Sequence, residues 1–83
     1  MEYLLNRKSI EEFSRLPKEI QVRIKDKLEF YMSSSNPLSF AERLTDFDLG
    51  EYRFRIGDYR VSFDVDSGVA KILKIGHRKD MYK

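Results

Sequence analysis

The 83-residue chain has no cysteine, which rules out disulfides and thiolate metal sites and suits a reducing compartment. No apolar run approaches the roughly 18 residues of a membrane span, and no basic segment leads into an apolar stretch at the N-terminus, so neither a span nor a signal peptide is expected. There is no internal repeat and no low-complexity tract. Histidine occurs once, at His77. Charge of one sign is also lacking overall, with 16 basic against 14 acidic residues and a net charge of +2. That near-balance conceals an asymmetry. The stretch up to Gly50 holds 8 basic and 9 acidic residues, whereas the stretch from Glu51 onward holds 8 basic and 5 acidic. A phosphate-rich partner would therefore meet the C-terminal part.

What is present suffices for one folded domain spanning residues 1–83. Hydrophobic residues make up 41% and aromatics 13%, against 36% charged, and a chain of this length buries roughly 60% of its unfolded surface. Tyr3, Leu4 and Leu5 suit a short opening strand that ends at Asn6-Arg7-Lys8. Ser9-Ile10-Glu11-Glu12 has capping-box form, with Ser9 as N-cap, Glu12 at N3, and Ile10, Phe13 and Leu16 as the apolar stripe. Pro17 splits the helical region in two. Ile20, Ile24, Leu28 and Tyr31 then recur at helical spacing, leaving Arg23, Lys25 and Lys27 on the wet side, until Ser33-Ser34-Ser35-Asn36-Pro37 ends the pattern. Residues 37–50 read as irregular, pinned to the core by Leu44, Phe47 and Leu49.

From there the period becomes two, and three strands of a meander are expected at about 51–56, 59–65 and 69–75. Gly57-Asp58 suits a two-residue hairpin turn that pairs Ile56 with Tyr59, Arg55 with Arg60, Phe54 with Val61 and Arg53 with Ser62. Tyr52, Phe54, Ile56, Tyr59, Val61 and Phe63 then face the core, and Arg53, Arg55 and Arg60 cluster on the opposite face. Like charges directly opposite one another are destabilising, so the cluster calls for an anion, and guanidinium forks suit phosphate oxygens. The plain alternative is a solvated face whose arginines pair with Glu or Asp. As a residue of an open strand face, Arg60 should contribute little stability, under about 1 kcal/mol. A three-residue loop Asp66-Ser67-Gly68 would pair Val65 with Val69 and bring Lys74 opposite Arg60. The expected fold is α+β, β-α-α-β-β-β, with helices on one sheet face and the other open.

Two blocks, Tyr52-Arg53-Phe54-Arg55-Ile56-Gly57-Asp58-Tyr59-Arg60-Val61 and Ile75-Gly76-His77-Arg78-Lys79-Asp80-Met81-Tyr82, resemble the RelE toxins of prokaryotic toxin-antitoxin systems. The element order, Asn36-Pro37 after the long helix and the Tyr82 ending extend the resemblance over nearly the whole chain. It implies a cytoplasmic, ribosome-dependent mRNA endonuclease that enters the vacant A site and is held inactive by a cognate RelB-like antitoxin. It also implies attack of a ribose 2′-OH on the adjacent phosphate without metal or other cofactor. Arg53 and Arg55 match the paired basic positions, Arg60 the arginine on the scissile phosphate, Arg78 the arginine after the last strand, and Tyr82 the tyrosine of proton abstraction or base stacking.

The chemistry requires a proton acceptor, stabilisation of the pentacoordinate phosphorane and a proton donor for the 5′-oxygen. Arginine is too weak an acid to serve as base, so Arg53 and Arg55 are read as electrostatic stabilisers. Tyr82 becomes a base if neighbouring cations favour its phenolate, and His77 is the side chain with an ordinary pKa near neutrality. The other function class is protein binding without chemistry. ParE toxins resemble RelE in fold, act on gyrase and lack the basic catalytic set. A generic RNA-binding module is disfavoured because the aromatics fall on the core face.

Overall fold

The computed structural model describes residues 1–45 and 50–81. In chain order the elements are strand β1 (Glu2–Leu5), helix α1 (Arg7–Ser14), helix α2 (Lys18–Ser33), a 3₁₀ turn (Pro37–Phe40), strands β2 (Glu42–Arg43), β3 (Tyr52–Ile56), β4 (Tyr59–Asp66) and β5 (Val69–His77), and the short helix α3 (Arg78–Met81). The sheet has five strands in the order β1-β5-β4-β3-β2. It is antiparallel except where β1 runs parallel to β5, with Tyr3 opposite Ala70. The architecture is the expected α+β arrangement, extended by β2 and α3. β2 lies in the stretch expected to be irregular, and Phe47, Leu49 and Tyr82 lie outside the described residues.

Both helices pack on one sheet face. Ile24, Leu28 and Met32 of α2 share a single core with Phe54, Ile56, Val61, Phe63, Ala70, Ile72 and Ile75. A run of contacting rings carries this core outward from Phe63 through Phe54 and Tyr31 to Phe40, with successive centroids 4.6, 4.7 and 4.8 Å apart. The helix stripe is as expected for α2. On α1 the reading is corrected: Asn6, not Ser9, is the N-cap, and its side chain accepts from the Ser9 amide at 2.8 Å. Ser9 is instead buried and donates to the carbonyls of Asn6 and Ile72. Glu12 accepts from the Ile75 amide at 3.1 Å, covering β5 beyond the end of β1. The shift of one turn leaves Ile10 exposed. Between the helices Pro17 precedes α2, and Gln21 Nε2 donates to Leu16 O at 2.9 Å.

The β3–β4 hairpin has the expected register throughout, with Gly57 at φ +60°. The β4–β5 register does not. Its loop is two residues, Ser67 (φ +52°) and Gly68 (φ +77°), so Asp66 rather than Val65 pairs with Val69. A bulge at Leu73 adds a second shift, because Phe63 pairs with Ile72 while Ser62 pairs with Lys74. Arg60 therefore faces Gly76, not Lys74. The two shifts cancel in parity, so Lys74 stays on the face of Arg60, two pairs further along, opposite Ser62.

Candidate nucleic-acid interface

On the face away from the helices, β3 and β4 carry Arg53, Arg55 and Arg60, and α3 adds Arg78 and Lys79. These five side chains line one open depression of about 540 Å³. Chain geometry brings the last two there. α3 starts immediately after β5, and its first amide, Arg78 N, donates to Asp58 O in the β3–β4 turn at 2.7 Å. The Arg78 Nε and Asp58 Oδ1 atoms are 3.8 Å apart. Met81 is buried and turns back over Gly76, its Sδ 3.5 Å from where a Cβ would stand.

Arg60 differs from the open-face residue expected from alternation. Only 5% of it is exposed. Its Nη1 donates to Gly57 O and Tyr59 O, both at 2.8 Å, so the turn that closes the hairpin also orients the guanidinium. Burial lowers its pKa from the ordinary arginine value, and the positive neighbours Arg55, Arg53 and Arg78 lower it further, against an opposing effect of Glu42. Arginine still remains charged at neutral pH. A charged group this covered, and held by carbonyls instead of carboxylates, keeps its positive field for whatever enters the depression.

The other two strand arginines have an acidic partner that the sequence reading did not identify. Glu42, in β2, accepts from Arg53 Nη2 through Oε2 at 2.6 Å and from Arg55 Nη1 through Oε1 at 3.3 Å. The hydrogen bond from Arg53, with the positive charge of both arginines, holds the Glu42 carboxyl below its ordinary pKa against the opposing effect of burial. Cross-strand pairing of Glu42 with Arg53 sets this contact. The signal available in the sequence was a set of acids, Glu42, Asp46 and Asp48, in the stretch before the hairpin, but a two-residue strand has no periodicity to mark its register. Lys79 was also absent from the expected set.

His77 is placed elsewhere. It is opposite Tyr59, on the core side of the sheet, with ring centroids 5.3 Å apart, and lines a separate groove with Lys8, Glu12 and Arg15. Its Nδ1 accepts from the Lys79 amide at 3.1 Å. The structure thus gathers Arg53, Arg55, Arg60 and Arg78 and leaves His77 outside the group, while Tyr82 lies beyond the described residues. No cluster of three or more metal-ligating side chains occurs among the described residues.

The model of the family described as the ParE toxin of the type II toxin-antitoxin system parDE matches residues 3–82. The chain belongs to that family. It is a toxin of a type II toxin-antitoxin system, within the RelE/ParE superfamily. Among solved structures the toxin is similar to a chain of the RelB-RelE antitoxin-toxin complex from Methanococcus jannaschii, at 22% identity and TM-score 0.74, covering 95% of this chain and 94% of that one. It is similar to a chain of the RelBE2 toxin-antitoxin complex of Mycobacterium tuberculosis, at 23% identity and TM-score 0.75, with 93% and 96% covered. For the intact E. coli RelBE toxin-antitoxin complex the values are 16% and 0.71, with 92% and 94% covered. These likenesses show the fold. A search of curated protein sequences finds no match. Among the described residues no helix is long and apolar enough to cross a membrane.

Proposed function

We propose that the toxin is a ribosome-dependent endoribonuclease that cleaves mRNA in the A site without a metal ion. The observation that carries this reading is the convergence of Arg53, Arg55, Arg60 and Arg78 on one depression, with Arg60 held by neutral acceptors and so uncancelled. In the reaction the 2′-oxygen bonds to phosphorus, the bond from phosphorus to the 5′-oxygen breaks, and a 2′,3′-cyclic phosphate remains. Arg60 and Arg78 hold the non-bridging oxygens, and Arg53 and Arg55 stabilise the added charge of the phosphorane. The 2′-OH proton passes to solvent or to Tyr82. Tyr82 acts from the C-terminal end by stacking on a base or sharing in proton transfer, and the 5′-oxygen is protonated from it or from solvent. His77, on the other side of the sheet, has no part in this scheme. A cognate RelB-like antitoxin is the partner that silences the toxin in a cytoplasmic setting.

Primer extension on mRNA from translating ribosomes tests the reading: new 5′ ends should arise with the toxin present and not without ribosomes. A second reading, inhibition by protein binding alone, draws on the ParE family match and on the pairing of two arginines by Glu42. It becomes the better one if the toxin arrests growth without generating cleavage ends.

A further inference from the structure

We infer that Glu42 is a specificity-determining residue: its carboxylate occupies, between Arg53 and Arg55, the place of a phosphate group, so that nucleic acid reaches these two arginines only by displacing it. The inference rests on the reading of the arginine depression as a phosphodiester site. Its geometric basis is that each carboxylate oxygen takes a separate guanidinium, one at 2.6 Å and one at 3.3 Å, as the two non-bridging oxygens of a phosphodiester would. Glu42 comes from a two-residue edge strand and its side chain is 40% exposed, so it can swing into water while β3 and β4 stay in place. Its pair with Arg55, whose side chain is 61% exposed, is inexpensive to break, and the Arg53 side chain, 19% exposed, stays in place for an incoming phosphate oxygen.

The consequence is selective. Of the arginines in the depression, Arg60 bonds to carbonyls, whereas the negative charge of Glu42 lies directly against Arg53 and Arg55. A free RNA strand, which must lose conformational freedom to position one phosphate, meets a weakened site. An RNA already held in place, as on a ribosome, loses no such freedom and can displace the carboxylate. Glu42 thus disfavours binding to loose RNA without closing the site.

The test is the affinity of the free toxin for a short fluorescent single-stranded RNA, measured over a range of salt. Glu42→Gln should bind about 5- to 10-fold more tightly than wild type at low salt. Its log-log salt slope should steepen by about 0.7 for each further phosphate that the variant neutralises. Glu19→Gln removes the same charge from α2, on the other side of the sheet, and should bind as wild type does. Equal tightening in both variants reduces the effect to net charge and overturns the inference, as does no tightening in Glu42→Gln. In the wild type, independently of how any variant folds, the NMR signal of the Glu42 carboxylate carbon should shift as RNA saturates the protein. A signal that stays unmoved while RNA binds also overturns it. Failure of the phosphodiester reading is distinguishable, since neither wild type nor Glu42→Gln would then bind RNA even at low salt.

Discussion

At the scale of single residues, Arg60 joins fold to chemistry. Because it is buried and bonded to two turn carbonyls, Arg60→Ala should remove about 1–3 kcal/mol of stability, more than an open strand residue would. It should also cut cleavage on ribosomes by about 10²-fold or more at a temperature where the variant stays folded. Arg60→Lys restores the charge but not the fork and should fall between the two. Wild-type cleavage by folded Arg60→Ala would remove the central assignment. Glu42 gives a pH prediction. Its folded pKa lies below 4.5, so the ion pairs stabilise the fold fully above that value and lose their effect as pH falls through the lower, folded value. The melting-temperature difference between wild type and Glu42→Gln should be constant near neutrality and move toward zero in acid. Alternation placed Arg53, Arg55 and Arg60 on one face correctly, because side-chain direction is a local property. It could not reveal that Arg60 is covered, which depends on neighbours from other strands and α3.

At the scale of elements, legibility followed periodicity and turn chemistry. The β3–β4 hairpin could be read to the residue, since its strands alternate and Gly57-Asp58 fixes the loop. The β4–β5 hairpin could not, because Ser67 adopts a left-handed conformation unusual for serine and Leu73 bulges from the ladder. Asn6 and Ser9 are both good caps one turn apart, and only the burial of Ser9 against Ile72 distinguishes them. The Ser67 strain yields a prediction: Ser67→Asn, which gives the loop the Asn-Gly pair favoured in such turns, should raise stability by roughly 0.5 kcal/mol in denaturant unfolding. No gain would mean that the loop relaxes in solution. This hairpin tip is exposed, so cleavage should not change.

At the scale of the whole molecule, the division into a helix-covered face and an arginine face followed from the sequence, while the five-strand order did not, since a two-residue β2 and a parallel β1–β5 pair have no local signature. The arginine face should be met by an acidic segment of the antitoxin. A neighbouring reading frame encoding a short protein of that kind should restore growth on co-expression and co-purify, with affinity falling as salt rises. Failure of both growth rescue and co-purification would remove the proposed partner. If the reaction is carried by side chains alone, excess EDTA should leave cleavage unchanged once ribosome integrity is controlled, and a specific need for added manganese or zinc would replace the mechanism.

The β1–β5 pair also orders events during synthesis. Tyr3 leaves the ribosome early and finds its strand partner only when Ala70 follows. Until then β1 has no place in the sheet, and α1 lacks Ile72 and Ile75, to which Ser9 and Glu12 bond. α3, which carries Arg78, follows later still. Arg78 and Lys79 thus join Arg53, Arg55 and Arg60 only after β5 has been made, so the basic depression is completed late in synthesis.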